Sequence, residues 1–172
     1  MCIRDRAKIV RRCNEGDVPI RILGSGANLL IADEGVDGIV VTLDHPHFKE
    51  VSYNLDGAPE LIRAMAGADM QKTMHETVRR GLGGLEQMAG IPASMGGALR
   101  MNAGGAFGEI ADSLHAVACL DRRGEIVIYP RESLQMDYRT TNLPDAPILW
   151  ATFKLQDRDL SLIHISEPTR PY

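Results

Sequence analysis

Residues 91–105 read IPASMGGALRMNAGG, with four glycines, three alanines, one proline and a single arginine. Glycine inside a packed element is less favourable than alanine by roughly 0.5–1 kcal/mol, so such a cluster needs a physical reason. Two reasons are available: a tight turn in an ordinary core, or a backbone that lies close to something large, such as a nucleotide or a flavin. An FGEI segment follows at 107–110, so the stretch does not decay into a linker.

Working outward, strand and helix signals alternate. AKIVRRCNEG (7–16) reads as the last turns of an amphipathic helix stopped by Gly16. VPIRIL (18–23) and the β-branched GIVVTL (38–43) read as strands, and FKEVSYNLD (48–56) as a third. ELIRAMAGADM (60–70) suits a strand weakened by alanine, although its composition also allows a helix. Met70, Met74 and Val78 recur at four-residue spacing, a helix ended by Gly81, its methionines serving as core. LHAVACLDRRGEIVIYP (114–130) reads as a hairpin turning at DRRG, and PILWATFKL (147–155) as a further strand. No repeat is present. The pattern is α+β and rich in strands.

Composition narrows the function. The 172-residue chain is 44% hydrophobic and carries a net charge of −4, which excludes recruitment of nucleic acid through bulk positive charge. Cys2, Cys13 and Cys119 lie far apart without metal-ligand spacing, which suits a reducing, cytoplasmic setting with Cys119 as a small core residue. No apolar run approaches the ~18–20 residues of a membrane span. No metal site is expected.

A second glycine loop, LGSGANLL (23–30), follows a strand directly. Gly24 and Gly26 let successive N–H groups turn toward one point, and Ser25 and Asn28 can add donors to a phosphate. Leu29 stands where a dinucleotide fingerprint needs its third glycine and no helix pattern follows, so this is not a Rossmann turn; nor is it a P-loop, since no GK[ST] occurs.

Three segments in order carry a resemblance. PIRILGSGANLLIADEGVDGIVV (19–41), GLGGLEQMAGIPASMGGALRMNAGGAFGEI (81–110) and DYRTTNLPDAPILWATFKL (137–155) resemble the three signatures of the UDP-N-acetylenolpyruvylglucosamine reductases, also called UDP-N-acetylmuramate dehydrogenases. The resemblance implies an FAD-binding fold of the vanillyl-alcohol-oxidase/PCMH type, built from two small α+β subdomains at 7–55 and 56–160. It implies FAD as cofactor, NADPH as hydride donor, and the enolpyruvyl ether of UDP-N-acetylglucosamine as the substrate reduced for peptidoglycan synthesis, with no nucleic-acid or membrane partner. A related flavin oxidase and a non-catalytic nucleotide-binding module would share the loops. By resemblance, Gly24, Ser25, Gly26, Ala27, Asn28, Leu29, Ile91, Pro92, Gly96, Gly97, Asn102, Gly104 and Ile110 line the cofactor. A side chain at Gly96, Gly97 or Gly104 would then occupy cofactor volume. Asn102 could bond either the cofactor or its own loop, and Arg100 is expected to face solvent. Arg139 is implied as the catalytic cation near the substrate carboxylate, because a guanidinium stays charged and offers a planar fork of donors. Tyr138 is implied at the substrate, packing and orienting.

Departures from the family are also visible. Ala27 stands where a serine is usual, and Ala106-Phe107 where a Tyr-Gly pair is common. MCIRDR (1–6) and SLIHISEPTRPY (161–172) resemble translated sequencing adapter and are expected to lack tertiary contacts. The reading therefore expects a fold truncated at both ends. The opening strands, the proton-donating serine and the assisting glutamate of the substrate-binding domain are expected to lie outside this chain.

Overall fold

The computed structural model describes residues 3–158. Helix α1 (Ile3–Glu15) leads to strands β1 (Ile20–Leu23) and β2 (Ile39–Thr42), then β3 (Val51–Leu55), β4 (Ala58–Met65) and helix α2 (Met70–Arg79). The two-residue strand β5 (Leu82–Gly83) and the short helix α3 (Met95–Arg100) follow. Next come β6 (Gly104–Gly105), β7 (Gly108–Glu109), β8 (Leu114–Leu120) and β9 (Ile126–Pro130). The chain closes with β10 (Met136–Asp137), β11 (Thr140–Thr141), β12 (Ile148–Lys154) and β13 (Gln156–Asp157).

The main sheet has five strands in the order β3-β4-β12-β8-β9, every neighbour antiparallel. Strand β12 is central and reads ILWATFK; Leu149, Ala151 and Phe153 are buried at alternate positions, and Ile148 is buried beside a break in the register with β8. Against this sheet pack Met70 and Met74 of α2, Met95 and Leu99 of α3, and Phe48, all buried. The ambiguous 60–70 segment resolves as strand up to Met65, since pairing with both β3 and β12 overrides its alanine content. Asp69 then caps α2 by accepting from Lys72 N at 2.9 Å, and Gly81, at φ +72°, ends it.

Strands β1 and β2 form a separate two-stranded parallel sheet. Helix α1 docks between the units, with Ala7 and Val10 packed against Leu120 and Leu149. Strand β3, read from sequence as the end of the 7–55 unit, pairs with β4 and joins the main sheet. Helix α1 begins at Ile3, so residues 3–6 continue the helix of 7–15. The segment 161–172 lies outside the described residues.

The largest difference from the sequence reading falls on the opening stretch. Its centre is a helix, not a turn. Ser94 is the N-cap, with Oγ accepting from Gly97 N at 3.3 Å. Met95 N and Gly96 N donate to Ala68 O and Ala66 O, both at 2.8 Å. Tertiary hydrogen bonds and burial of Met95, Ala98 and Leu99 hold a helix that Gly96 and Gly97 would otherwise disfavour.

Candidate active site

Both glycine loops and the Tyr138-Arg139 hairpin face one cavity of about 780 Å³. One wall is the loop after β1, with Gly24, Ser25, Gly26, Ala27, Asn28 and Leu29. Another is Ile91, Pro92, Gly96 and Gly97, and a third is Asn102 and Gly104, with Tyr138 and Arg139 at its edge. Ile110 is the exception. It is fully buried in the core, away from the cavity, and its N–H donates to Ala103 O at 2.8 Å, so it shapes the loop from behind.

The glycines do different work. A β-carbon at Gly97 would meet only Ser94 Oγ, at 3.2 Å, and otherwise enter open space. One at Gly96 would press on Ala66 Cβ at 3.0 Å and Ala66 O at 3.1 Å. One at Gly104 would strike Gly108 O at 2.6 Å and Glu109 Cα at 2.7 Å. Gly96 and Gly104 are thus required by the fold itself. The amides of Gly96 and Gly97 are already engaged by protein acceptors, so free donors must come from elsewhere. The N–H groups of Ser25, Gly26, Ala27 and Asn28 have no partner among the described residues. They supply main-chain donors to the cavity.

Side chains that the sequence reading missed hold these walls in place. Gln71 on α2 donates Nε2 to Met88 O at 2.7 Å and Ile91 O at 2.9 Å, and its Oε1 accepts from Gly90 N at 3.1 Å. It fixes the entry to Ile91-Pro92. Arg100, expected to face solvent, donates to Leu143 O at 3.0 Å and to Pro144 O and Ala146 O at 2.8 Å each. It clamps the segment before β12.

Lys49 and Lys72 also line the cavity. Lys49 Nζ lies 3.2 Å from Asp44 Oδ1, and this ammonium holds the Asp44 carboxyl below its ordinary value, with help from a Thr42 hydrogen bond. Lys72 makes no ion pair among the described residues. Asp44, Asp69 and Glu109 line the cavity as well, so the cations left for a ligand's phosphates or carboxylates are Lys72 and Arg139, neither in an ion pair among the described residues.

Arg139 sits at the tip of the β10–β11 hairpin with φ +56°, and its Cζ lies 5.4 Å from the centroid of the Tyr138 ring. Tyr138 is 82% exposed. Asn102, at φ +40° and only 3% exposed, donates Nδ2 to Asp137 O at 3.1 Å, while its Oδ1 is buried without a partner among the described residues. Cys119 is buried behind the site, and that burial pushes its thiol up to about 11 despite the pull of Arg100, so it is a core residue and not a nucleophile.

A cavity of this size lies in the ~300–1,000 Å³ range of small-molecule and cofactor pockets. It has unpaired amide donors on one side and a helix face with no β-carbon at Gly97 on the other, and these residues fit a flavin nucleotide. The fold and the cavity define a nucleotide-binding flavoprotein domain. The chain belongs to the FAD binding domain family, which matches residues 3–129. Its relatives make the class narrower. It is 37% identical to the UDP-N-acetylenolpyruvoylglucosamine reductase of Listeria innocua, over 94% of this chain and 53% of that protein. It is equally identical to the reductase of Oceanobacillus iheyensis, over 89% of this chain and 48% of that protein. Among solved structures it superposes on UDP-N-acetylenolpyruvylglucosamine reductase from Thermus caldophilus with a TM-score of 0.74 and 36% identity, over 90% of this chain and 55% of that one. Cholesterol oxidase from B. sterolicum shares the fold at 19% identity, with a TM-score of 0.67. The three reductases carry the name of the family whose three signatures the sequence resembles. The chain spans about half the length of the curated relatives it matches. No described helix is long and apolar enough to cross a membrane.

Proposed function

We propose that this chain is the FAD-binding portion of a cytoplasmic UDP-N-acetylenolpyruvoylglucosamine reductase, which uses NADPH to reduce the enolpyruvyl ether of a UDP-sugar to UDP-N-acetylmuramate for peptidoglycan. The observation that carries this reading is the convergence of both glycine loops and the Tyr138-Arg139 hairpin on one cavity. FAD, when bound, supplies the hydride chemistry between NADPH and the substrate's vinyl carbon.

The chain's own residues provide position and charge. The free amides of residues 25–28, with Lys72, suit the cofactor's phosphates. Gly97 leaves room for the cofactor to lie against α3. Arg139 is the cation for the substrate carboxylate and for the negative charge that develops beside it as the double bond is reduced. An arginine held at φ +56° is strained relative to glycine, and such strain accumulates where a side chain is needed for function. The ring of Tyr138 limits the directions in which that guanidinium can point.

The test is stopped-flow on the complete gene product in two halves: reduction of bound flavin by NADPH, then reoxidation by the enolpyruvyl substrate. Arg139→Lys keeps the charge and loses the fork, and removing such a preorganised donor lowers a rate by ~10²–10³-fold. The loss should fall on the second half alone. Equal loss in both halves makes Arg139 structural, and absence of reoxidation by the enolpyruvyl substrate in the unmodified protein refutes the reductase reading.

A further inference from the structure

Asn102 has features that holding its own loop does not explain. It is 3% exposed, its backbone is left-handed at φ +40°, and one of its two polar atoms is buried without a partner among the described residues. A glycine would fit this backbone more easily, and burying an amide with half of its hydrogen-bonding capacity unused is unfavourable. Among the described residues, the only hydrogen bond of its side chain reaches across 35 residues, from Nδ2 to the carbonyl oxygen of Asp137 at 3.1 Å. Because a carbonyl can only accept, this bond also fixes which end of the amide is nitrogen.

The place of that bond matters. Asp137 is the last residue of β10, and Tyr138 and Arg139 follow it directly at the hairpin tip. The hairpin itself is small: two residue pairs, Met136 with Thr141 and Asp137 with Thr140, flanked by Gln135 N to Asn142 Oδ1 and Asn142 N to Gln135 O, both at 3.0 Å. So short a hairpin does not fix its own orientation. Asn102 stands between α3 and β6, and all three of Asn102, Tyr138 and Arg139 border the cavity.

We infer that Asn102 is a positioning residue: through its hydrogen bond to the Asp137 carbonyl it sets where the Arg139 guanidinium stands relative to the flavin wall of the cavity. This rests on the reading of Arg139 given above, and its tests separate the two. Asn102→Gly accepts the backbone angle and removes the amide. Asn102→Ala also removes the donor, at a backbone angle that alanine tolerates less well than glycine. In both variants, amides of residues 136–141 should exchange with deuterium about two- to tenfold faster, the range that one hydrogen bond of ordinary net worth converts to. Exchange in β4, β8 and β12 should stay unchanged, which also controls for folding. Unchanged exchange at 136–141 in either folded variant overturns the inference.

The kinetic arm uses the complete gene product. Asn102→Gly and Arg139→Lys should each slow flavin reoxidation by substrate, and the double variant should be no more than about twofold slower than Arg139→Lys alone, since both act through one guanidinium. Multiplicative losses would overturn the inference. If unmodified protein is not reoxidised by the enolpyruvyl substrate, the proposed function fails, while the exchange result still decides whether Asn102 holds the hairpin.

Discussion

A β-carbon at position 97 and one at position 96 would meet opposite fates, although the two residues are neighbours on the same helix. Gly97→Val points a branched side chain into the cavity, and in a helix valine is a better former than glycine. Its expected outcome is a protein as heat-stable as the flavin-free parent that no longer retains flavin, read from the absorbance of the purified protein and from a fluorescence titration with FAD. Gly96→Val drives the same group into Ala66. Overpacking of this kind is destabilising by about 1–3 kcal/mol, so here the denaturation midpoint should fall along with flavin binding. Position 119 gives a prediction in pH. Burial raises the Cys119 thiol from 9.0 to about 11, so the folded chain keeps a proton that the unfolded chain releases. Stability from this group is intact below the unfolded value and declines as pH rises from 9 toward 11. Cys119→Ala should flatten the fall in urea midpoint between about pH 8 and pH 10.5 relative to the parent. An identical slope in both proteins would show that the thiol is not coupled to folding.

At the scale of elements, what can be read from sequence divides by distance along the chain. Met70, Met74 and Val78 announce α2 because the signal is local periodicity, and Gly81 ends that helix because only nearby residues set φ. The 114–130 hairpin is legible in DRRG, where Asp121 Oδ1 accepts from Arg123 N at 2.9 Å and Glu125 N at 2.8 Å. Helix α3 was hidden by its glycines. Ser94 was the available sign of a helix start, but the bonds from Met95 and Gly96 to Ala68 and Ala66 come from a strand end that no local pattern names. The site followed the same rule. Its glycine loops, Asn102 and Tyr138-Arg139 stand out by residue type, whereas Gln71, the role of Arg100 and the partner of Asn102 are hidden, because all three side chains act on carbonyl oxygens, which every residue carries and which leave no trace in the side-chain pattern. Ile110 sits inside a signature yet faces the core, because a motif can record packing as well as contact. Arg100→Met tests one of these hidden links. It keeps much of the aliphatic stem and loses three hydrogen bonds to Leu143, Pro144 and Ala146, so stability should fall by about 2–3 kcal/mol in urea unfolding.

Across the whole molecule the five-stranded sheet and the β1–β2 pair have unequal support. The five-stranded sheet is covered by α2, α3 and the buried core between them. The β1–β2 pair leaves Ile22, Ile39 and Val40 exposed, and the loop between its strands leaves Leu30 fully exposed. A two-stranded sheet is marginal alone, and regions with few buried apolar contacts open with little free energy. Amides of β1 and β2 should therefore exchange at least ~100-fold faster than those of β4, β8 and β12 in the absence of ligand. Because the loop after β1 forms one wall of the cavity, saturating FAD should slow exchange in β1 and β2 more than anywhere else. Uniform exchange across both sheets would mean that they open as a single unit.

The chain contains one tryptophan, Trp150, on the central strand beneath the guanidinium of Arg63, whose Cζ is 5.6 Å from the ring centroid. Two residues earlier on that strand, Ile148 lines the cavity, a separation of about 7 Å along the backbone. Indole emission overlaps flavin absorption, so this geometry makes the molecule its own optical gauge. Light absorbed by Trp150 will pass to a flavin in the cavity instead of being emitted, and cofactor occupancy can be followed by the dimming of a single intrinsic lamp without any added label.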